Sequence, residues 1–152
     1  MTVGFTPVGD DLYREIILDH FRRPRHRGEV SPADGTVDAD NPLCGDELHL
    51  GWRLDGDRIA EIAFAGKGCS ISQAAASMLC EAVAGAERSP AITLLRRYHA
   101  MLVAGGGTDD LGDLEALQGV AAYPMRIKCA TLAANAMLQA LGATTEESDG
   151  HE

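Results

Sequence analysis

Glu47-Leu48-His49-Leu50-Gly51-Trp52-Arg53-Leu54-Asp55-Gly56-Asp57, running on through Ile59 to Ala65 and into Gly68-Cys69-Ser70-Ile71, is the stretch that decides the fold. Leu48, Leu50, Trp52 and Leu54 alternate with Glu47, His49, Gly51 and Arg53, the period of two that lays one face of a strand on a core. Asp55-Gly56-Asp57 supplies a hairpin turn, and Ile59 to Ala65 returns as the next strand. Beyond Gly68 the period changes. Ile71, Ala74, Ala75, Met78, Leu79, Ala82 and Val83 recur at i, i+3 and i+4, one apolar stripe of a helix.

Upstream, Asp10 or Asp11 can cap a helix that carries Leu12, Tyr13, Ile16, Ile17 and Phe21 at helical spacing and stops at Pro24. Residues 28–46 are rich in Gly, Pro and Asp and leave room for one short strand near Thr36-Val37-Asp38-Ala39. Downstream, Ser89-Pro90 opens a helix by cap and first-turn proline, with Leu94, Leu95, Tyr98, Met101 and Leu102 inside it. Gly105-Gly106-Gly107 ends that helix; no strand and no Lys-Ser/Thr accompany the glycines, so a phosphate-binding loop is not supported. A short helix follows Asp109-Asp110. A last helix after Pro124 carries Cys129, Leu132, Ala133, Ala136, Met137 and Ala140 on one face. Residues 1–9 read as a loose leader and 144–152 as a disordered acidic tail. Helix, then sheet, then helices, without repeat or boundary, reads as an α+β chain forming a single domain over 1–152.

The 152 residues are 45% hydrophobic and 24% charged, a globular composition. At this length roughly 70% of the unfolded surface can be buried, so the core needs no staple. Thirteen basic against 23 acidic residues leave a net charge of −10. That charge repels phosphate backbones and anionic lipid, and no apolar run approaches the roughly 20 residues that span a bilayer. Nucleic acid and membrane are therefore excluded as first partners. The start is no signal peptide, and four cysteines are too few for a disulfide scaffold of this length, so a cytoplasmic protein with free thiols is expected. The one basic cluster, Arg22-Arg23-Pro24-Arg25-His26-Arg27, reads either as a solvated helix end whose cations complement the dipole or as a docking patch for an acidic partner. His49 falls on the polar face of its strand and reads as solvated.

The cysteines stand at 44, 69, 80 and 129, with no Cys-x-x-Cys pair. Cys44 lies in the tight turn Asn41-Pro42-Leu43-Cys44-Gly45-Asp46, where Gly45 lets thiol and carboxylate converge. Cys69, in Gly66-Lys67-Gly68-Cys69-Ser70-Ile71-Ser72, joins a strand end to a helix start. A helix N-terminus stabilises a thiolate, and Lys67 adds positive charge nearby. Cys129 follows Arg126 and Lys128 on the last helix. Three thiols and Asp46 form a tetrahedral donor set suited to zinc or iron. Taken singly, though, Cys129 on its apolar stripe reads as core, and Cys44 as an ordinary turn residue. Cys80, between Leu79 and Glu81 beside the Ala-rich stripe, reads as a small core residue.

Together these segments resemble the SufU/IscU-like family of iron–sulfur assembly proteins. The resemblance runs from about Leu12 to Leu141 and rests on several motifs in order: Leu12-Tyr13-Arg14-Glu15-Ile16-Ile17-Leu18-Asp19-His20, the Cys44 turn, Gly66 to Ala74, and Arg126-Ile127-Lys128-Cys129-Ala130-Thr131-Leu132. Lys128 stands where IscU-type scaffolds carry histidine. A longer stretch around Ala100 to Ala121 matches an insertion of the SufU branch. Ala134 departs from relatives that often carry Trp there.

The resemblance implies a small antiparallel three-stranded sheet packed with about five to six helices. It implies zinc held by Cys44, Asp46, Cys69 and Cys129, with Arg126 supporting the site. It further implies that Cys44 accepts persulfide sulfur from a PLP-dependent, SufS-type cysteine desulfurase, one of whose histidines takes the vacated zinc position. The sulfur is then passed toward a SufB-containing assembly complex. The alternative it leaves open is a scaffold on which a transient [2Fe–2S] cluster is built by the same ligands. The basic cluster from Arg22 to Arg27 is then expected to help dock the desulfurase.

Overall fold

Residues 8–143 are described by a computed structural model. Helix α1 (Val8–Arg22) precedes three strands, β1 (Gly35–Asn41), β2 (Asp46–Asp55) and β3 (Arg58–Lys67). Then come α2 (Ser70–Val83), α3 (Arg88–Val103), a 3-10 helix (Gly112–Ala122) and α4 (Pro124–Ala140). The strands pair antiparallel in the order β1-β2-β3. The expected α+β architecture is present, and the short strand near 36–39 is longer than read. The leader up to residue 7 and the tail 144–152 lie outside the described residues.

Several boundaries differ from the sequence reading. Helix α1 begins at Val8, which places Asp10 and Asp11 inside it and not at its N-cap position. The N-cap of α3 is Glu87, without a side-chain bond, and Ser89 is already helical. Pro90 keeps its place in the first turn, where a missing N–H breaks no helical bond. The short helix after Asp109-Asp110 is a 3-10 helix.

The alternation of β2 holds to Leu50 and then relaxes, with Trp52 and Leu54 half-buried. Leu50, Ile59 and Phe64 are buried under α2 and α4, each worth about 1.5–3 kcal/mol relative to exposure. Helix α2 is buried all round from Ser72 to Cys80, because α1, β3 and α4 enclose it. Ala82, expected in its core stripe, is exposed beyond that enclosure. On α4, Ala130, Ala134 and Leu138 are buried as well as Cys129, Ala133, Ala136 and Met137, while Leu132 and Ala140 are only half-buried. Packing against β1, α2 and α3 makes this a central helix, not an amphipathic one. Among the described residues no helix is long and apolar enough to cross a membrane.

Polar groups tie α1 to α2. Buried His20 meets Ser77 Oγ through Nδ1 at 2.7 Å, and that hydroxyl accepts the Arg25 backbone N–H at 2.8 Å. The other ring nitrogen, Nε2, stands 3.6 Å from the Glu81 carboxylate. The basic cluster is largely spoken for internally. Arg25 and Arg23 both pair with Asp19 and hold its carboxyl down to about 2. Arg27 donates to Gln73 Oε1 and Gly66 O at 2.8 Å each, with its guanidinium 5.6 Å above the Phe64 ring.

Candidate metal centre

The sheet order itself assembles the site. In an antiparallel β1-β2-β3 sheet, the end of β1, the start of β2 and the end of β3 share one edge. Asn41 faces Asp46 across one ladder, and Glu47 faces Lys67 across the other. The Cys44 turn and the Cys69 loop therefore lie side by side, and α4, packed against β1, brings Cys129 beneath them. Gly45 bends the turn at a φ of +72°, a conformation that L side chains rarely adopt. Gly68 serves differently: a Cβ there would collide with Ser72 Oγ and Asp46 Oδ1.

Cys44, Asp46 and Cys129 bring one ligand atom each to within 4.8 Å of one another. Cys69 is not in that tight trio. Its thiol caps its own helix, accepting the Ser72 N–H at 3.5 Å, while also lying against the Cys129 thiol. Of the four ligands expected, three converge here and the fourth stands beside them. All four cysteines are free.

Asp46 is 1% exposed. Its Oδ1 accepts the Cys69 N–H at 2.9 Å and the Ser72 hydroxyl at 3.1 Å, the positive end of α2. Its Oδ2 is buried without a hydrogen-bond partner. A buried carboxylate oxygen left unpaired costs several kcal/mol unless something cationic meets it. Burial pushes the Cys129 thiol well up, and hydrogen bonding with Cys44, Asp46 and Cys69 adds to this by favouring the protonated thiol, with charge repulsion from Cys69 last. A divalent cation among two or three sulfurs and one oxygen answers both costs, and this donor set fits zinc.

Other residues fall outside this centre. Cys80 is buried in the core, its thiol pushed up to about 12 by burial. Arg126 is exposed in a groove with Tyr13, Ile17, Ile71 and Tyr123, with no hydrogen bond to the trio among the described residues. Lys67 is mostly exposed, 4.0 Å from Glu47. His49 is exposed, bonded to Asp38 at 2.7 Å, and not part of the Cys44–Asp46–Cys129 group.

Sequence reasoning missed Ser72 and Asn41 as site residues. Ser72 stands three residues into the helix after Cys69, the spacing of a capping interaction, and was findable on that ground. Asn41 donates from Nδ2 to Cys129 Sγ at 3.8 Å, a contact spanning 88 positions that local pattern cannot disclose.

Residues 12–130 match the family model of the NifU-like N-terminal domain. The chain is 44% identical over 137 residues to the zinc-dependent sulfurtransferase SufU of Bacillus subtilis, covering 89% of this chain and 92% of the relative. It is 41% identical over 132 residues to the iron–sulfur cluster assembly scaffold protein IscU of Streptococcus pyogenes, covering 86% and 82%. The crystal structure of a putative iron–sulfur cluster assembly scaffold protein for the SUF system from Fervidobacterium islandicum superposes with a TM-score of 0.80 at 30% identity, covering 84% of this chain and 94% of that one. With that match over most of its length and this architecture, the chain belongs to the NifU-like N-terminal domain family, among its SufU/IscU-like members.

Proposed function

We propose that this chain is a zinc-dependent sulfurtransferase of iron–sulfur cluster assembly, with Cys44 as the sulfur acceptor. The observation that carries the reading is the convergence of Cys44 and Cys129 on a buried Asp46 whose Oδ2 has no partner. Cys44, Asp46, Cys69 and Cys129 would hold the ion. Bound zinc keeps a coordinated thiol deprotonated at neutral pH.

Cys44 is the mobile member of the set. It is half-buried on the Gly45 turn, whereas Cys69 opens α2 and Cys129 is enclosed in α4. Its thiolate attacks the terminal sulfur of a donor persulfide, R–S–SH. The new bond forms from Cys44 Sγ to that sulfur, the donor S–S bond breaks, and R–S⁻ departs. The product is a Cys44 persulfide, with no oxidant or reductant consumed. The donor in this reading is a SufS-type cysteine desulfurase, and the product is handed on to a SufB-containing complex. Four free thiols fit a cytoplasmic setting. Arg126, exposed beside the site, would support it from the groove, and the residues around Arg25 and Arg27 would contribute to docking.

Metal content per chain is the first test, with about one zinc expected. Cys44→Ser should keep the fold and much of the zinc yet lose sulfur uptake from a desulfurase and L-cysteine; normal turnover in that variant sinks the proposal. Cys69→Ser and Cys129→Ser should instead lose zinc. The scaffold reading draws on the relative named IscU and on thiolates that also suit iron. It requires a red-brown protein after anaerobic incubation with iron and sulfide, where the zinc protein stays colourless.

A further inference from the structure

The three thiols at the site differ in what already binds their sulfur. Cys129 Sγ accepts a hydrogen bond from Asn41 Nδ2 at 3.8 Å, and Cys69 Sγ accepts one from the Ser72 N–H at 3.5 Å. Cys44 Sγ has no N–H donor among the described residues. Asn41 is itself 6% exposed and occupies the last position of β1, opposite Asp46. Its backbone carbonyl accepts the Cys44 N–H at 3.2 Å. One residue thus closes the turn that carries the mobile cysteine while its side chain holds the enclosed one.

We propose that Asn41 is a positioning residue that keeps Cys129 on the metal while Cys44 leaves to take up sulfur. This rests on the zinc-site reading above and extends it to a residue outside the ligand set. An N–H donated to a metal-bound thiolate withdraws charge from the sulfur and fixes its direction. Removing such a partner typically costs about 10- to 100-fold in metal affinity. The need is greatest when Cys44 departs, because the ion then depends on the ligands that remain. Burial alone does not supply this hold, since an enclosed sulfur without a donor can still turn away from the ion.

The test compares the zinc-loaded wild type with Asn41→Leu, which keeps volume at a buried position and removes the N–H, and with Asn41→Ala. Cys44 is alkylated with limiting iodoacetamide, the site of labelling is mapped by mass spectrometry, and zinc release is read with a chromophoric chelator. Wild type is expected to retain zinc after Cys44 is blocked, whereas both variants release it. Before alkylation, the variants should lose zinc to the chelator about 10- to 100-fold more readily. In the cobalt(II)-substituted proteins the sulfur-to-metal charge-transfer band should move to longer wavelength in both variants, which a purely structural role would not produce. Release of zinc from alkylated wild type overturns the inference, as does retention by Asn41→Leu with an unshifted cobalt band. If one variant fails to fold, the other decides. Because alkylation replaces sulfur transfer here, a wild type that takes no sulfur on Cys44 overturns the proposed function and leaves this test standing.

Discussion

Two buried polar clusters flank α2, and they are finished to different degrees. At its start, Asp46 has one oxygen satisfied by Ser72 and the Cys69 N–H and the other satisfied by nothing. In its middle, His20, Ser77 and the Arg25 N–H form a closed set that leaves no buried side-chain polar atom without a partner among the described residues. A closed set is a structural joint, here fastening α1 and the following segment to α2. An open one among thiols is a place where a cation completes the bonding, because burial without a partner is otherwise a standing cost.

The sharpest way to break this contrast is Asp46→Ala. It should lower zinc affinity by more than the roughly 100-fold upper end for a supporting partner, measured by chelator competition. An unchanged affinity would mean that the unpaired oxygen meets no metal. In the closed cluster, Ser77→Ala strips partners from His20 and from the Arg25 N–H at once. A loss of about 1–3 kcal/mol in denaturant unfolding is expected, with zinc content unchanged. If zinc is lost as well, the two clusters are one unit.

Acidity probes the same joint more gently. Burial lowers the His20 pKa below its usual 6.5, so the folded state resists a proton that the unfolded chain accepts. That stability is present above pH 6.5 and is lost as pH falls below it toward the lowered folded value. Burial does the same at His99, while the bond to Asp38 raises His49 and works in the opposite direction. Unfolding free energy should therefore fall between about pH 7 and pH 5, and His20→Gln should flatten the slope. A slope unchanged in that variant would remove His20 as its source. The smallest effect belongs to Cys80→Ala, which trims a core residue that neither cluster uses. About 1 kcal/mol of stability should go, and zinc binding and sulfur uptake should not change.

Much of the fold was legible because the β2–β3 hairpin and the start of α2 announce themselves through a switch from period two to 3.6. The sequence reading failed where packing, not pattern, sets burial. Ala82 lies on the stripe but beyond the enclosure, and Leu138 lies off the stripe but inside it. The basic cluster drew notice for its charge, yet Arg23, Arg25 and Arg27 spend much of it on Asp19, Gln73 and Gly66.

By itself the sequence determined most of the elements, the setting that separates Cys80 from the other three cysteines, and the glycine turn that carries Cys44. Those follow from local chemistry: the period of the apolar residues and the freedom of Gly45. Only the tertiary structure decided that Cys44, Asp46 and Cys129 form the tight group with Cys69 beside it, that Asp46 keeps an unpaired oxygen, and that Asn41 reaches Cys129. The reason is physical. Sheet register and the seating of α4 bring together atoms up to 88 positions apart, and no local pattern records which groups meet when they do.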